Sequence, residues 1–263
     1  MIIVLLAAGQ GKRLKKSLPK SFSYKTKSLV PVNNEPAIKR LVNQFLKINQ
    51  NNILLVLGHE HESILEVFNS KKQPFVLNKN YEKDSNLKSL FLAFKSILND
   101  QVFDIDKGVL VIETDSVFSN ESLEKYIKYI DGLLSLEQKN NKICWTTKGL
   151  ANIKDTGGFI DPQKNIKNLD FGEINDVYIK NKPNNKKTLK MFGMTWFDKF
   201  SMINWYDNCK ELLDGKNSYD NTGYFHEIIF KNLNKYSMYY YDLGPKALSF
   251  NNFLEYSKCL DFN

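Results

Sequence analysis

The chain has 263 residues, 42% of them hydrophobic and 13% aromatic, which is enough apolar material for one large α/β domain. Its formal net charge is +8, but the lysines are scattered among asparagines and acidic residues, without the dense basic block a nucleic-acid groove requires. Cys144, Cys209 and Cys259 are widely separated, odd in number and free of a C-x-x-C spacing, which excludes a disulfide framework and a zinc site.

The opening run Met1–Ala8 is apolar, lacks a basic segment and stops at Gly9, so it reads as a buried strand and not as a signal peptide. The sequence holds no stretch of about 18 apolar residues, so no membrane partner is expected and a cytoplasmic location is.

Short apolar runs then alternate with helical patterns: a strand over Ile2–Leu6, a helix over Ala37–Ile48, a strand over Ile53–Leu57, a short helix over Ser63–Asn69 and a strand over Phe75–Leu77. A helix over Leu87–Leu98, a strand over Val109–Ile112 and a helix over Leu123–Leu136 follow. Continuous apolar strands separated by amphipathic helices predict βαβ units. From about Ile143 the pattern changes to strand-like pieces joined by Gly, Pro and Asn, at Ile143–Thr147, Gly158–Asp161, Asp176–Ile179 and Leu189–Trp196. Helices over Asp198–Leu213 and Gly223–Asn232, a strand over Ser237–Tyr241 and a helix over Asn252–Leu260 complete the chain. The expected fold is a Rossmann-like α/β sheet, mostly parallel, with helices on both faces and a mixed-strand C-terminal extension. It forms one domain over 1–263, with halves over 1–140 and 141–263 that differ in this patterning. Ligands of such sheets bind at the carboxyl ends of the strands.

The loop after the first strand carries the sharpest signal, Leu6-Ala7-Ala8-Gly9-Gln10-Gly11-Lys12-Arg13-Leu14. Two glycines let the backbone approach a triphosphate, successive N–H groups can form an anion nest, and Arg13 offers a planar fork of donors. The third glycine of a dinucleotide fingerprint is replaced by Leu14, and the GxxxxGK[ST] pattern is absent.

This segment closely resembles the signature of the nucleoside-triphosphate transferase superfamily, which includes sugar-1-phosphate nucleotidylyltransferases and phosphocholine-type cytidylyltransferases. The resemblance continues in Thr26-Lys27-Ser28-Leu29-Val30-Pro31, which makes Lys27 the matching lysine, with Lys20 in Leu18-Pro19-Lys20 as a rival. The stretch Asn78 to Leu90 resembles a loop of the choline-type cytidylyltransferases, implying nucleotide contacts from Asn78, Ser85, Asn86 and Ser89. Glu113-Thr114-Asp115 ends a central strand where the family places a magnesium-binding aspartate, here Asp115. Asn181-Lys182-Pro183 is similar to the family's Glu-Lys-Pro motif, and Phe192-Gly193-Met194-Thr195-Trp196 resembles a segment that closes the acceptor pocket. Lys182 and Trp196 are therefore the expected acceptor contacts. A second metal-binding aspartate is usual near the C-terminus, but Ser249 stands in that register. Either Asp242 takes its place, or Asp115, phosphates and water hold the metal.

The resemblance implies a magnesium-dependent transfer with pyrophosphate release. Arg13 would hold the outer phosphates, Lys27 the phosphates that meet in the attack, and Leu6, Ala7, Ala8, Gly9, Gly11 and Lys12 the nucleotide. CTP and a small phosphorylated metabolite are the favoured substrates, a sugar-1-phosphate nucleotidylyltransferase is the runner-up, and a non-catalytic nucleotide-binding relative is a third reading.

Overall fold

The structure, a computed structural model, describes residues 1–263 except 21, 69–72, 84–85, 101–102, 137–139, 153–154, 156, 163–169, 180–186, 215–222, 261 and 263. Its first half runs as β1 (Ile2–Ala7), α1 (Lys12–Ser17), a small hairpin of β2 (Pro31–Val32) and β3 (Glu35–Pro36), α2 (Ala37–Lys47), β4 (Ile53–Leu57), α3 (His61–Glu66), β5 (Phe75–Leu77), α4 (Leu87–Asn99) and β6 (Val109–Glu113). The second half holds β7 (Ser116–Val117), α5 (Asn120–Leu134), β8 (Lys142–Leu150), β9 (Gly158–Pro162), β10 (Phe171–Ile179) and β11 (Leu189–Phe197). It ends in α6 (Lys199–Asp214), α7 (His226–Phe230), β12 (Ser237–Asp242), β13 (Leu248–Ser249) and α8 (Phe253–Ser257).

Every residue of β1 is buried, and the two-residue period of a strand divides them between two cores. Ile2, Val4 and Leu6 join α4, α6 and α7 on one face, while Ile3, Leu5 and Ala7 join α2, α3 and α5 on the other. Full burial of a Val, Leu or Ile side chain is worth about 1.5–3 kcal/mol, so the strand that leads into the glycine loop is anchored from both sides.

The main sheet has nine strands in the order β5-β4-β1-β6-β11-β8-β12-β10-β9. Its first four strands are parallel. β11 then joins β6 antiparallel and β12 joins β8 parallel, giving the mixed extension. β9 also pairs with β11 through Leu189↔Ile160 and Lys190↔Phe159, which folds the far edge back toward the middle. Such closure reduces exposed strand edge. A third cluster, with Leu14, Val30, Phe250 and Tyr256, ties α1 and the residue 27–32 segment to α8.

Several elements differ from the sequence reading. Helix α1 was not expected because its six residues carry one buried side chain, Leu14, and lack an apolar period. α8 starts one residue later than expected because Asn252 is its cap, accepting from the Glu255 N–H at 2.9 Å. α7 begins at His226, three residues later than expected, and the expected end of the Ser63–Asn69 helix lies outside the described residues. Among the described residues, none of the helices is long and apolar enough to cross a membrane.

Candidate active site

The carboxyl ends of β1 and β6 open onto a cavity of about 420 Å³. Its floor is the loop from Leu6 to Leu14. Gly11 has a φ of +62°, and a Cβ there would lie 2.7 Å from the Lys27 Cβ. Glycine at position 11 thus satisfies a left-handed turn and lets the residue 27 segment press against the loop. Lys27 sits on a single 3-10 turn, Lys27–Leu29. That turn is fixed by Ser28, whose hydroxyl meets the Thr114 hydroxyl at 2.9 Å, and Thr114 donates in turn to the Leu6 carbonyl at 3.3 Å.

Charge converges above this loop. Lys27 Nζ lies 2.6 Å from Asp115 Oδ2 and 3.0 Å from Asn251 Oδ1, and Arg13 donates to the same Asn251 oxygen at 3.0 Å. The backbone N–H of Asn251 donates to Glu255 Oε2 at 2.6 Å, which sets the orientation of its segment.

At the opposite wall Glu113 accepts from Asn86 Nδ2 at 3.0 Å, and Asn86 Oδ1 accepts from the Phe225 N–H at 3.0 Å. Burial, and then the neighbouring Asp115 charge, push the Glu113 carboxyl up to about 7, against the pull of Lys27 and Asn86. Gly193 on β11 leaves the space: a Cβ there would sit 3.2 Å from the Glu113 Cβ and 2.6 Å from Ser116 Oγ.

The cavity therefore gathers Leu6, Ala7, Ala8, Gly9, Gly11, Lys12 and Arg13 with Lys27, Asn86, Ser89 and Asp115. Asn78 stands behind it, buried, donating to Ser89 Oγ at 3.0 Å and accepting from the Asn80 N–H. Lys20, the rival of Lys27, is exposed and does not line the cavity. Ser85 and Lys182 lie outside the described residues.

Two expectations are corrected. Trp196 is fully buried, and its indole N–H donates to the Lys107 carbonyl at 3.1 Å, near the start of β6 and away from the strand ends that bear the cavity. Its side chain packs in the core, so it is not an acceptor contact. Asp242 likewise stays outside the cavity: its Oδ1 accepts from Thr147 Oγ1 at 2.6 Å and from the Gly149 N–H at 2.7 Å, and so holds the end of β8. Ser249 is engaged in the β13–β7 pair, and Asn251, two residues on, is the one that shares the Lys27 ammonium with Asp115.

The sequence reading missed Asn251, Tyr224, Tyr81 and Glu82 as lining residues. Asn251 lies close to the register in which an aspartate is expected, and an amide oxygen there is a hard, though uncharged, oxygen donor.

The donor set fits magnesium. Two oxygens, Asp115 Oδ2 and Asn251 Oδ1, already share one cation, the Lys27 ammonium. Among the described residues no cluster of three His, Cys, Asp or Glu exists for a metal. Magnesium suits such a sparse set, since it takes one or two protein oxygens and completes its shell with water and substrate phosphates.

A model of the MobA-like NTP transferase domain matches residues 3–145. Among curated proteins, CMP-5'-(3-aminopropyl)phosphonate synthase of Streptomyces rubellomurinus is 29% identical over 126 residues, which is 46% of this chain and 18% of that protein's length. Among solved structures, the CTP:phosphocholine cytidylyltransferase LicC of Streptococcus pneumoniae is 17% identical, with a TM-score of 0.66 over 98% of this chain and 96% of its own. A UDP-glucose pyrophosphorylase from Acinetobacter baumanii is 15% identical, with a TM-score of 0.69 over 99% and 92% of the two chains. The two structural likenesses establish a shared fold.

Proposed function

This chain belongs to the MobA-like NTP transferase family and is a nucleotidyltransferase, and from that premise we propose that it joins a nucleoside monophosphate to a phosphate-bearing small molecule with magnesium as cofactor. An oxygen of the acceptor attacks the α-phosphorus in line, the bond to the bridging oxygen of the β-phosphate breaks, and pyrophosphate leaves. The observation that carries this reading is the convergence of Lys27, Arg13, Asp115 and Asn251 above the glycine loop.

Each residue has a share in the chemistry. Asp115 and Asn251 would hold the magnesium, which supplies charge neutralisation at the phosphates. Arg13 binds the outer phosphates through its fork of donors. Lys27 turns its ammonium to the oxygens on which charge gathers in the transition state. The loop from Ala8 to Arg13 fixes the triphosphate for in-line attack, and positioning of this kind supplies much of the rate in phosphoryl-type transfers. The attacking oxygen is already ionised, so the site needs no general base.

For the acceptor, a sugar 1-phosphate has the broader support, in line with the UDP-glucose pyrophosphorylase that overlays almost all of this chain. Cytidylyl transfer to an amine-bearing phosphate or phosphonate is the second reading. It draws on the relationship to the CMP-phosphonate synthase and on the Asn86–Glu113 pair, a half-buried acidic group that an ammonium would help to ionise. The non-catalytic reading rests on Ser249 and on Asn181 in place of the glutamate before Lys182; Asn251 supplies an oxygen near Asp115 that speaks against the first, and Asn181 lies outside the described residues.

The test is pyrophosphate release from CTP, UTP, GTP and ATP against glucose 1-phosphate, phosphocholine and 3-aminopropylphosphonate, with magnesium and with a chelator. Turnover of one pair, abolished by the chelator, is the expected result. Failure of all four triphosphates to react with any acceptor, or to raise the melting temperature, would overturn the reading.

A further inference from the structure

The reaction brings an anionic acceptor up to a triphosphate, so the site needs cations beyond those that hold the nucleotide. Arg13 and Lys27 both engage Asn251 on the nucleotide side. Two further lysines, Lys148 on β8 and Lys190 on β11, stand on neighbouring strands at the same end of the sheet.

Lys190 is held in place with no ion-pair contact to a carboxylate among the described residues. It pairs across to Phe159, its Nζ lies 5.1 Å from that ring, and it donates to the Gly158 carbonyl at 3.3 Å. Gly157 has a φ of +104°, and a Cβ there would lie 3.0 Å from the ammonium, so glycine at this position leaves room for the lysine head. Lys148 Nζ reaches Ser249 Oγ at 3.3 Å, and Ser249 pairs with Ser116, the residue after Asp115. Neither lysine has a carboxylate within ion-pair distance among the described residues.

The surrounding charges locate the pair. Burial first, and then the charge of Lys148, bring the Lys190 ammonium down to about 8, while Asp155, Glu113 and Glu255 act in the opposite direction. Glu255 is the residue that holds the Asn251 backbone, and Glu113 stands two residues before Asp115. Lys190 also lowers His226 on α7. Two ammonium groups carried on paired strands at one end of the sheet repel each other until an anion joins them.

We propose that Lys148 and Lys190 form the acceptor's anion subsite, taking the oxygens of its phosphate or phosphonate group and presenting them beside Asp115 and Asn251. This subsite rests on the nucleotidyl-transfer reading above, and its test is built to fail separately.

The probe is sulfate, whose charge is constant over the pH range used. It is titrated calorimetrically with CTP or UTP present, so that Arg13 and Lys27 are already engaged. Lys190→Met and Lys148→Met should each weaken sulfate by about tenfold or more, the loss of one charge-assisted hydrogen bond. Lys199→Met, whose residue pairs with Asp106 on the surface, is the distal control. Wild-type affinity for sulfate should fall as pH rises through about 8, whereas Lys190→Arg, which stays charged, should bind without that fall. Melting-temperature shifts with the four triphosphates should be the same in Lys190→Met as in wild type. Absence of any shift in the wild type sinks the transferase reading, and sulfate titrated alone then still decides the subsite. Equal sulfate affinity in wild type and both methionine variants, or a Lys190→Arg variant as weak as Lys190→Met, overturns the proposal.

Discussion

Lys27 and Asp115 meet at 2.6 Å although 88 residues separate them, and both side chains are largely withdrawn from solvent, at 18% and 7% exposure. The contact joins the 3-10 turn after the glycine loop to the end of β6. It also poises the lysine: a divalent cation bound at Asp115 and Asn251 would displace the ammonium toward the phosphates.

Lys27→Met should therefore lower kcat by on the order of 10² or more, the usual scale for loss of a preorganised donor to the transition state. Lys20→Met, at an exposed position off the cavity, should stay within about twofold. Initial rates of pyrophosphate release decide between them. A Lys20 variant as damaged as the Lys27 variant would contradict the assignment.

The glycine loop makes a separate prediction. Gly11→Ala puts a side chain on a backbone with a φ of +62° and drives its Cβ to 2.7 Å from the Lys27 Cβ. The left-handed conformation alone costs about 1–2 kcal/mol, so the melting temperature should fall by a few degrees. Activity should fall further than stability, because relief of the clash moves Lys27. Gly132→Ala, on α5 away from the cavity with nothing within 4 Å of the added Cβ, is the distal control. Equal activity in the two variants would show that the close approach is unimportant.

How far the site could be read from sequence depends on how each residue is held. The first strand, its glycine loop and the strand end at Asp115 were legible because a continuous apolar run, two glycines and a terminal carboxylate lie together in the chain. Asn251 was hidden by distance, since its partner Arg13 is 238 residues away and only the docking of α8 beside α1 brings them together. Trp196 was misread for a different reason. The resemblance of residues 192–196 to a pocket-closing segment suggested a pocket wall, but β11 runs antiparallel to β6 and carries Trp196 to the opposite end of the sheet. The mixed sheet was expected, whereas the β9–β11 pairing was not, because local sequence does not encode which distant strands meet.

His226 makes the stability depend on pH. Its ring stacks on Phe225 at 3.8 Å and packs near Phe230 and Trp145, and burial lowers it to about 3 from the ordinary 6.5. Above about 6.5 it is neutral in both folded and unfolded chains and contributes no slope. Between about 6.5 and about 3 the unfolded chain takes a proton that the folded chain refuses, so stability falls as the pH falls. The slope from one such group is about 1.4 kcal/mol per pH unit. Urea unfolding of wild type and His226→Phe across this window should show a shallower acid loss in the variant, and parallel curves would refute the assignment.

The metal ligands give the last prediction. Asp115→Asn keeps the shape and one acceptor oxygen but removes the charge that attracts magnesium and pairs with Lys27, so turnover should fall by on the order of 10² or more while nucleotide binding persists. Asn251→Asp keeps an oxygen at the position that now meets Lys27 and Arg13 and adds charge, so it should retain activity and need less magnesium for half-maximal rate. Asn251→Ala removes the oxygen and should raise that magnesium requirement by roughly tenfold or more, at least the loss that follows from removing a group that merely supports a metal ligand. Asp242→Asn, whose carboxylate serves Thr147 and Gly149, should leave the magnesium dependence unchanged and affect stability alone. Magnesium titrations of the rate in these four variants order them directly. A magnesium requirement moved by Asp242→Asn and untouched by Asn251→Ala would return the second ligand to Asp242 and remove Asn251 from the site.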